Sequence, residues 1–109
     1  MSTRFYSWNP PTDVFETEKA LVIRMEIAGM DKSDISIGIE KNQLSISGFR
    51  KEGLSQRAFH QMEIRFGEFQ SLVSLPDGLE LDKSEADYED GFLLISIPFS
   101  KATRITIKE

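Results

Sequence analysis

From Ala86 to Pro98 the chain reads Ala-Asp-Tyr-Glu-Asp-Gly-Phe-Leu-Leu-Ile-Ser-Ile-Pro, an extended pattern broken once, at Asp90-Gly91. Aspartate tolerates left-handed backbone angles and glycine adopts them at almost no steric cost, so Asp-Gly between alternating runs predicts a tight hairpin. Beyond the turn, Leu93, Ile95 and Ile97 share one face of a strand while Phe92, Leu94 and Ser96 share the other. Bulk on both faces predicts a central strand.

Upstream, Leu21, Ile23, Met25 and Ile27 alternate with Val22, Arg24 and Glu26, the mark of a strand packed chiefly on one side. Ile35, Ile37 and Ile39 alternate with Ser36, Gly38 and Glu40, and Lys41-Asn42 turns the chain back into Leu44 and Ile46, a second hairpin. Met62, Ile64 and Phe66 alternate with Gln61, Glu63 and Arg65; Gly67 interrupts, and Phe69, Ser71, Val73 and Leu75 resume the period. That arrangement predicts one long strand bent or bulged at the glycine. The prolines of Asn9-Pro10-Pro11-Thr12-Asp13 oppose regular pairing and mark a lead-in arm. Asp31 and Asp34 are spaced to cap one helical turn, with no apolar helix behind them. Between Gly48 and Ala58 the periodicity disappears, predicting an exposed loop of about ten residues, a length that often carries function. Seven or eight short strands with no long helix predict an all-β sandwich.

Composition narrows the functions. A chain of 109 residues is expected to form one domain, and 39% hydrophobic with 28% charged residues is an ordinary soluble balance. Eighteen acidic against thirteen basic side chains give a net charge of −5, with no basic run that tracks a phosphate backbone, so no nucleic acid partner is expected. Absence of cysteine excludes disulfides, thiolate catalysis and the usual zinc sites. No run approaches the ~20 apolar residues of a membrane span, and the first ten residues lack the pattern of a secretory leader. The expectation is a cytoplasmic protein with no membrane partner.

No catalytic constellation emerges. His60 is the one histidine, Ser55 is near it only in sequence, and a surface histidine is the simpler reading. Asp87 and Glu89 share a strand face, where a cation site competes with the commoner role of charge in keeping strand edges apart. Gly48 to Gly53 lacks the strand-to-helix context of a phosphate loop. Neither enzymatic activity nor a metal or other cofactor is expected.

Taken in order, several motifs resemble the α-crystallin domain of small heat-shock proteins from about Pro10 onward. They are Pro10 with Asp13 and Glu16, Ile27-Ala28-Gly29-Met30, Asp34-Ile35, Leu44-Ser45-Ile46-Ser47-Gly48, Phe66-Gly67-Glu68-Phe69, Leu75-Pro76, Ala86 with Tyr88, Asp90-Gly91 and Leu93, and Ile105-Thr106-Ile107. The resemblance implies an immunoglobulin-like β-sandwich of two antiparallel sheets with 7–9 strands over residues 13–100, an arm over 1–12 and a tail over 101–109. It also implies an ATP-independent holdase for non-native client proteins that assembles as homodimers and larger oligomers. In such proteins a loop strand pairs with the partner subunit, here within Leu54, Ser55, Gln56, Arg57, Ala58 and Phe59. Tail isoleucines, here Ile105 and Ile107, fill a neighbour's groove, here assigned to Ile37, Ile39, Ser84, Ala86 and Tyr88. Three positions depart from the family pattern. Ser71 replaces a usual interface arginine, Ile64 follows Glu63 where arginine is common, and Ser84 replaces a groove isoleucine. The tail also reaches Ile105 only seven residues after Pro98.

Alternatives remain at each of these places. Ile105 and Ile107 form either a partner-seeking tail, which the resemblance favours, or a last strand of their own domain. The 50–60 loop either pairs with another chain or is a plain surface loop. Phe5, Tyr6 and Trp8 either anchor clients or neighbouring subunits, as aromatic residues often do at interfaces, or fold back on their own sandwich. The competing function is a binding module of the CS-domain kind, a co-chaperone that docks on one folded partner.

Overall fold

The computed structural model describes residues 8–54, 57–101 and 105–108. Among them are seven strands: β1 (Thr12–Glu16), β2 (Ala20–Glu26), β3 (Ile35–Glu40), β4 (Gln43–Arg50), β5 (Gly67–Ser74), β6 (Glu85–Glu89) and β7 (Phe92–Pro98). They pair antiparallel in two sheets, ordered β1-β2-β7-β6 and β3-β4-β5. Two short 3-10 turns, Lys32–Asp34 and Leu81–Lys83, punctuate the connections.

Alternation dictates what lies between the sheets. In the β2-β7 register Leu21 faces Ile97, Ile23 faces Ile95 and Met25 faces Leu93, so one side of the four-stranded sheet is a continuous apolar surface. Leu44, Ile46 and Phe69 close on it from the three-stranded sheet, and all of these side chains are buried. Each contributes about 1.5–3 kcal/mol of gross burial energy, against the conformational entropy lost on folding. β7 lies between β2 and β6, as expected of a central strand, but Phe92 and Leu94 on its outer face remain exposed.

Both predicted hairpins form. Lys41 and Asn42 have φ of 50° and 60°, and Asp90 and Gly91 have 52° and 82°, so each two-residue turn has both central residues in the left-handed region. Such turns carry the twist that joins right-twisted antiparallel strands without splaying them. Gly48 is needed for a different reason. A Cβ there would lie 2.6 Å from the Asp34 carbonyl oxygen and 2.8 Å from Phe69 Cζ, so the missing side chain lets the Phe69 ring seat over β4.

Three expectations are corrected. The prolines do not keep the residues beside them from regular pairing: β1 begins at Thr12, within the span read as an arm, where Thr12 pairs with Met25 and Asp13 with Arg24. The two prolines fall just outside the ladder, where their missing N–H groups cost no pairing, and the Pro11 carbonyl accepts from Glu26 N at 3.0 Å. Residues 62–66 form no strand, and β5 starts at Gly67 (φ 98°). β4 ends at Arg50, opposite Gly67, and among the described residues the ladder between β4 and β5 stops at that pair. Finally, the Asp31 side chain makes no capping bond; the turn is closed by Asp34 N–H donating to the Asp31 carbonyl at 2.9 Å.

Candidate partner-docking site

Two sheets packed face to face leave their edges exposed, and on one side β3 and β6 lie next to each other as edges of different sheets. An open cleft of about 140 Å³ separates them. Ile35 and Ile37 of β3, Ala86 and Tyr88 of β6, and Leu93 of β7 form its apolar walls, with Lys32 and Asp87 at the rim. Ile37 is 40% exposed, a high value for an inward-facing isoleucine, because nothing described covers that opening. The Tyr88 hydroxyl donates to the Ile27 carbonyl at 2.7 Å and accepts from Met30 N at 3.2 Å. Those bonds lock the ring as a fixed wall and tie β6 to the β2-β3 connection.

Ile37, Ala86 and Tyr88 therefore come together as expected residues of one cleft. Ile39 and Ser84 do not line it. Ile39 is half-buried against the core, and Ser84 Oγ donates to the Leu81 carbonyl at 2.7 Å, which closes the turn before β6. Ile35 and Leu93 were not foreseen as lining residues, although each shares a strand face with a predicted one. Lys32 and Asp87 had no apolar pattern to reveal them.

The tail isoleucines lie in solvent: Ile105 is 86% and Ile107 87% exposed, outside any strand. Leu54, Arg57, Ala58 and Phe59 are also exposed, with no strand among them; Ser55 and Gln56 lie outside the described residues. Leu54, Phe59, Met62, Ile64 and Phe66 gather around an apolar hollow of about 130 Å³ beneath the loop. The base of this loop is held by Arg50. Its guanidinium lies 4.4 Å from the Trp8 ring centroid and 5.1 Å from that of Phe66, and it donates to the carbonyls of Ala28 (3.1 Å) and Arg65 (3.0 Å from Nε). Trp8 also packs edge-on against Phe69 at 5.6 Å, so this aromatic residue folds onto its own sandwich. Phe5 and Tyr6 lie outside the described residues.

His60 is exposed, and among the described residues no group of three or more His, Cys, Asp or Glu side chains is placed to hold a metal. No helix among them is long and apolar enough to cross a membrane.

A family model described as the Hsp20/alpha crystallin family matches residues 13–108. The chain belongs to that family. Within it, a small heat-shock protein from Xylella fastidiosa has a solved structure that superposes with a TM-score of 0.81 at 34% identity, over 94% of this chain and 98% of that one. The small heat shock protein C2 of Rickettsia felis is 34% identical over 82% of this chain, and the chloroplastic small heat shock protein of Solanum lycopersicum is 29% identical over 89%. The chain spans 59% of the first and 41% of the second. The Hsp20 sandwich is thus all β, two antiparallel sheets of four and three strands.

Proposed function

We propose that this protein is an ATP-independent chaperone, a holdase that captures unfolding proteins and self-associates through its own tail and edges. One observation carries the reading: an apolar cleft stands open between β3 and β6 in a molecule whose tail holds two isoleucines almost wholly in water. Kinship with proteins named small heat shock proteins supports it. Burying two isoleucines yields a few kcal/mol gross at about 25 cal/mol per Å², and ordering the tail and the partner offsets much of that. Such a contact is reversible, so the surface that binds a neighbouring copy is also periodically free for a client. The exposed apolar loop around Leu54 and Phe59 supplies a second contact, since an extended segment added to a strand edge satisfies backbone groups that otherwise face solvent.

The test is aggregation of a heat-labile client without nucleotide. Light scattering is expected to stay low near stoichiometric amounts of the protein; full aggregation at an excess overturns the reading. The paired change Ile105→Ala and Ile107→Ala is expected to lower the particle mass by light scattering and to leave the unfolding midpoint unchanged. A melted sandwich would instead make the tail a strand of its own domain.

A further inference from the structure

β6 is an edge strand that, among the described residues, has only β7 as a ladder partner, so one side of its backbone is available for pairing. Its two faces differ in chemistry. Ala86 and Tyr88, opposite Ile95 and Leu93, turn toward the cleft; Glu85, Asp87 and Glu89, opposite Ser96, Leu94 and Phe92, turn to the outer face of the sheet. The outer face of this edge is thus three consecutive carboxylates about 7 Å apart, all on exposed residues. The tail is written in the same period with the opposite sign. Ile105 and Ile107 share one side of an extended segment, Thr106 and Lys108 the other, and both basic positions flanking the isoleucines, Arg104 and Lys108, carry positive charge.

We infer that the fit of a second copy's tail along β6 is read by charge, with Lys108 set against the carboxylates of Glu85, Asp87 and Glu89. The inference rests on the proposed docking of the tail in the cleft. Setting Ile105 and Ile107 against the Ala86-Tyr88 face places Thr106 beside Asp87 in either strand direction. Lys108 then falls beside Glu85 if the strands are antiparallel and beside Glu89 if they are parallel, and it reaches Asp87 on the diagonal. Lys32 stands at the β3 side of the cleft, so a cation is steered toward β6. The pairing also answers a general obstacle, because copies carrying −5 each repel one another and a basic tail on an acidic strand offsets that repulsion locally. Occupants with acidic flanks are disfavoured by the same three carboxylates.

The experiment uses the full chain and reads association by sedimentation velocity across a dilution series. Lys108→Glu alone, and Glu85→Lys with Glu89→Lys alone, are each expected to weaken association about fivefold, since each sets like charges opposite one another across the strands. Mixing the two variant chains in equal amounts pairs each altered tail with an oppositely charged strand, and association is expected to recover. Recovery only when all three changes are carried on one chain means that the tail docks on its own subunit, which overturns the second copy as occupant. If Lys108→Glu leaves association unchanged while the isoleucine pair lowers it, the tail docks without reading charge and this inference falls alone. If the isoleucine pair also has no effect, the inference and the docking it rests on fall together.

Discussion

Strand β7 and the segment 62–66 both place an apolar residue at every second position, and they end in opposite environments. Leu93, Ile95 and Ile97 are buried, whereas Met62 and Ile64 are 61% and 67% exposed. Side-chain character does not separate them; backbone partners do. β7 has β2 on one side, paired along Phe92–Pro98, and β6 on the other, paired from Phe92 to Ser96. Segment 62–66 follows a loop that leaves β4 at Arg50, and the ladder resumes only where Gly67 meets Arg50. An alternating sequence is therefore a capacity for pairing, realised in β7 by two ladders, whereas no described strand covers 62–66.

The largest way to break the comparison is at Ile95, which is 2% exposed at the centre of the sandwich. Ile95→Ala removes packed methyl and methylene groups from a site closed on both sides, and about 2–5 kcal/mol of stability is expected to be lost in urea unfolding. Gly48→Ala comes next. The added methyl meets backbone at Asp34 and the Phe69 ring at distances no relaxed contact shows, so a loss of about 1–3 kcal/mol is expected by the same measurement. An unchanged midpoint for Gly48→Ala would mean that Phe69 is free to leave its seat over β4.

Much of this architecture was legible because it depends on local rules. Asp90-Gly91 and Lys41-Asn42 are turns by the chemistry of positive φ, and the faces of β2, β4 and β7 follow from period two. β1 was hidden by Pro10 and Pro11, which speak against a strand until one sees that they end one residue before the ladder. The cleft was legible only in part. Ile37, Ala86 and Tyr88 were named through the family resemblance and do line one opening, but no local rule states that β3 and β6 become neighbours across the sandwich. Arg50 was equally silent in sequence: its contacts with Trp8, Phe66, Ala28 and Arg65 join segments far apart in the chain.

The smallest expected effect sharpens the comparison most. Ile64 is two-thirds exposed, so Ile64→Ala is expected to change monomer stability by no more than about 0.5 kcal/mol, measured by urea unfolding at high dilution. Its effect should grow with concentration if the exposed Ile64 side chain is covered by another copy, because burial then occurs only in the assembly. A destabilisation of the size seen at Ile95, constant across concentrations, would place Ile64 inside its own chain's core and remove the distinction between the two segments. An effect near zero at every concentration would leave the segment as solvated surface and assign the loop's partner contacts to Leu54 and Phe59 instead.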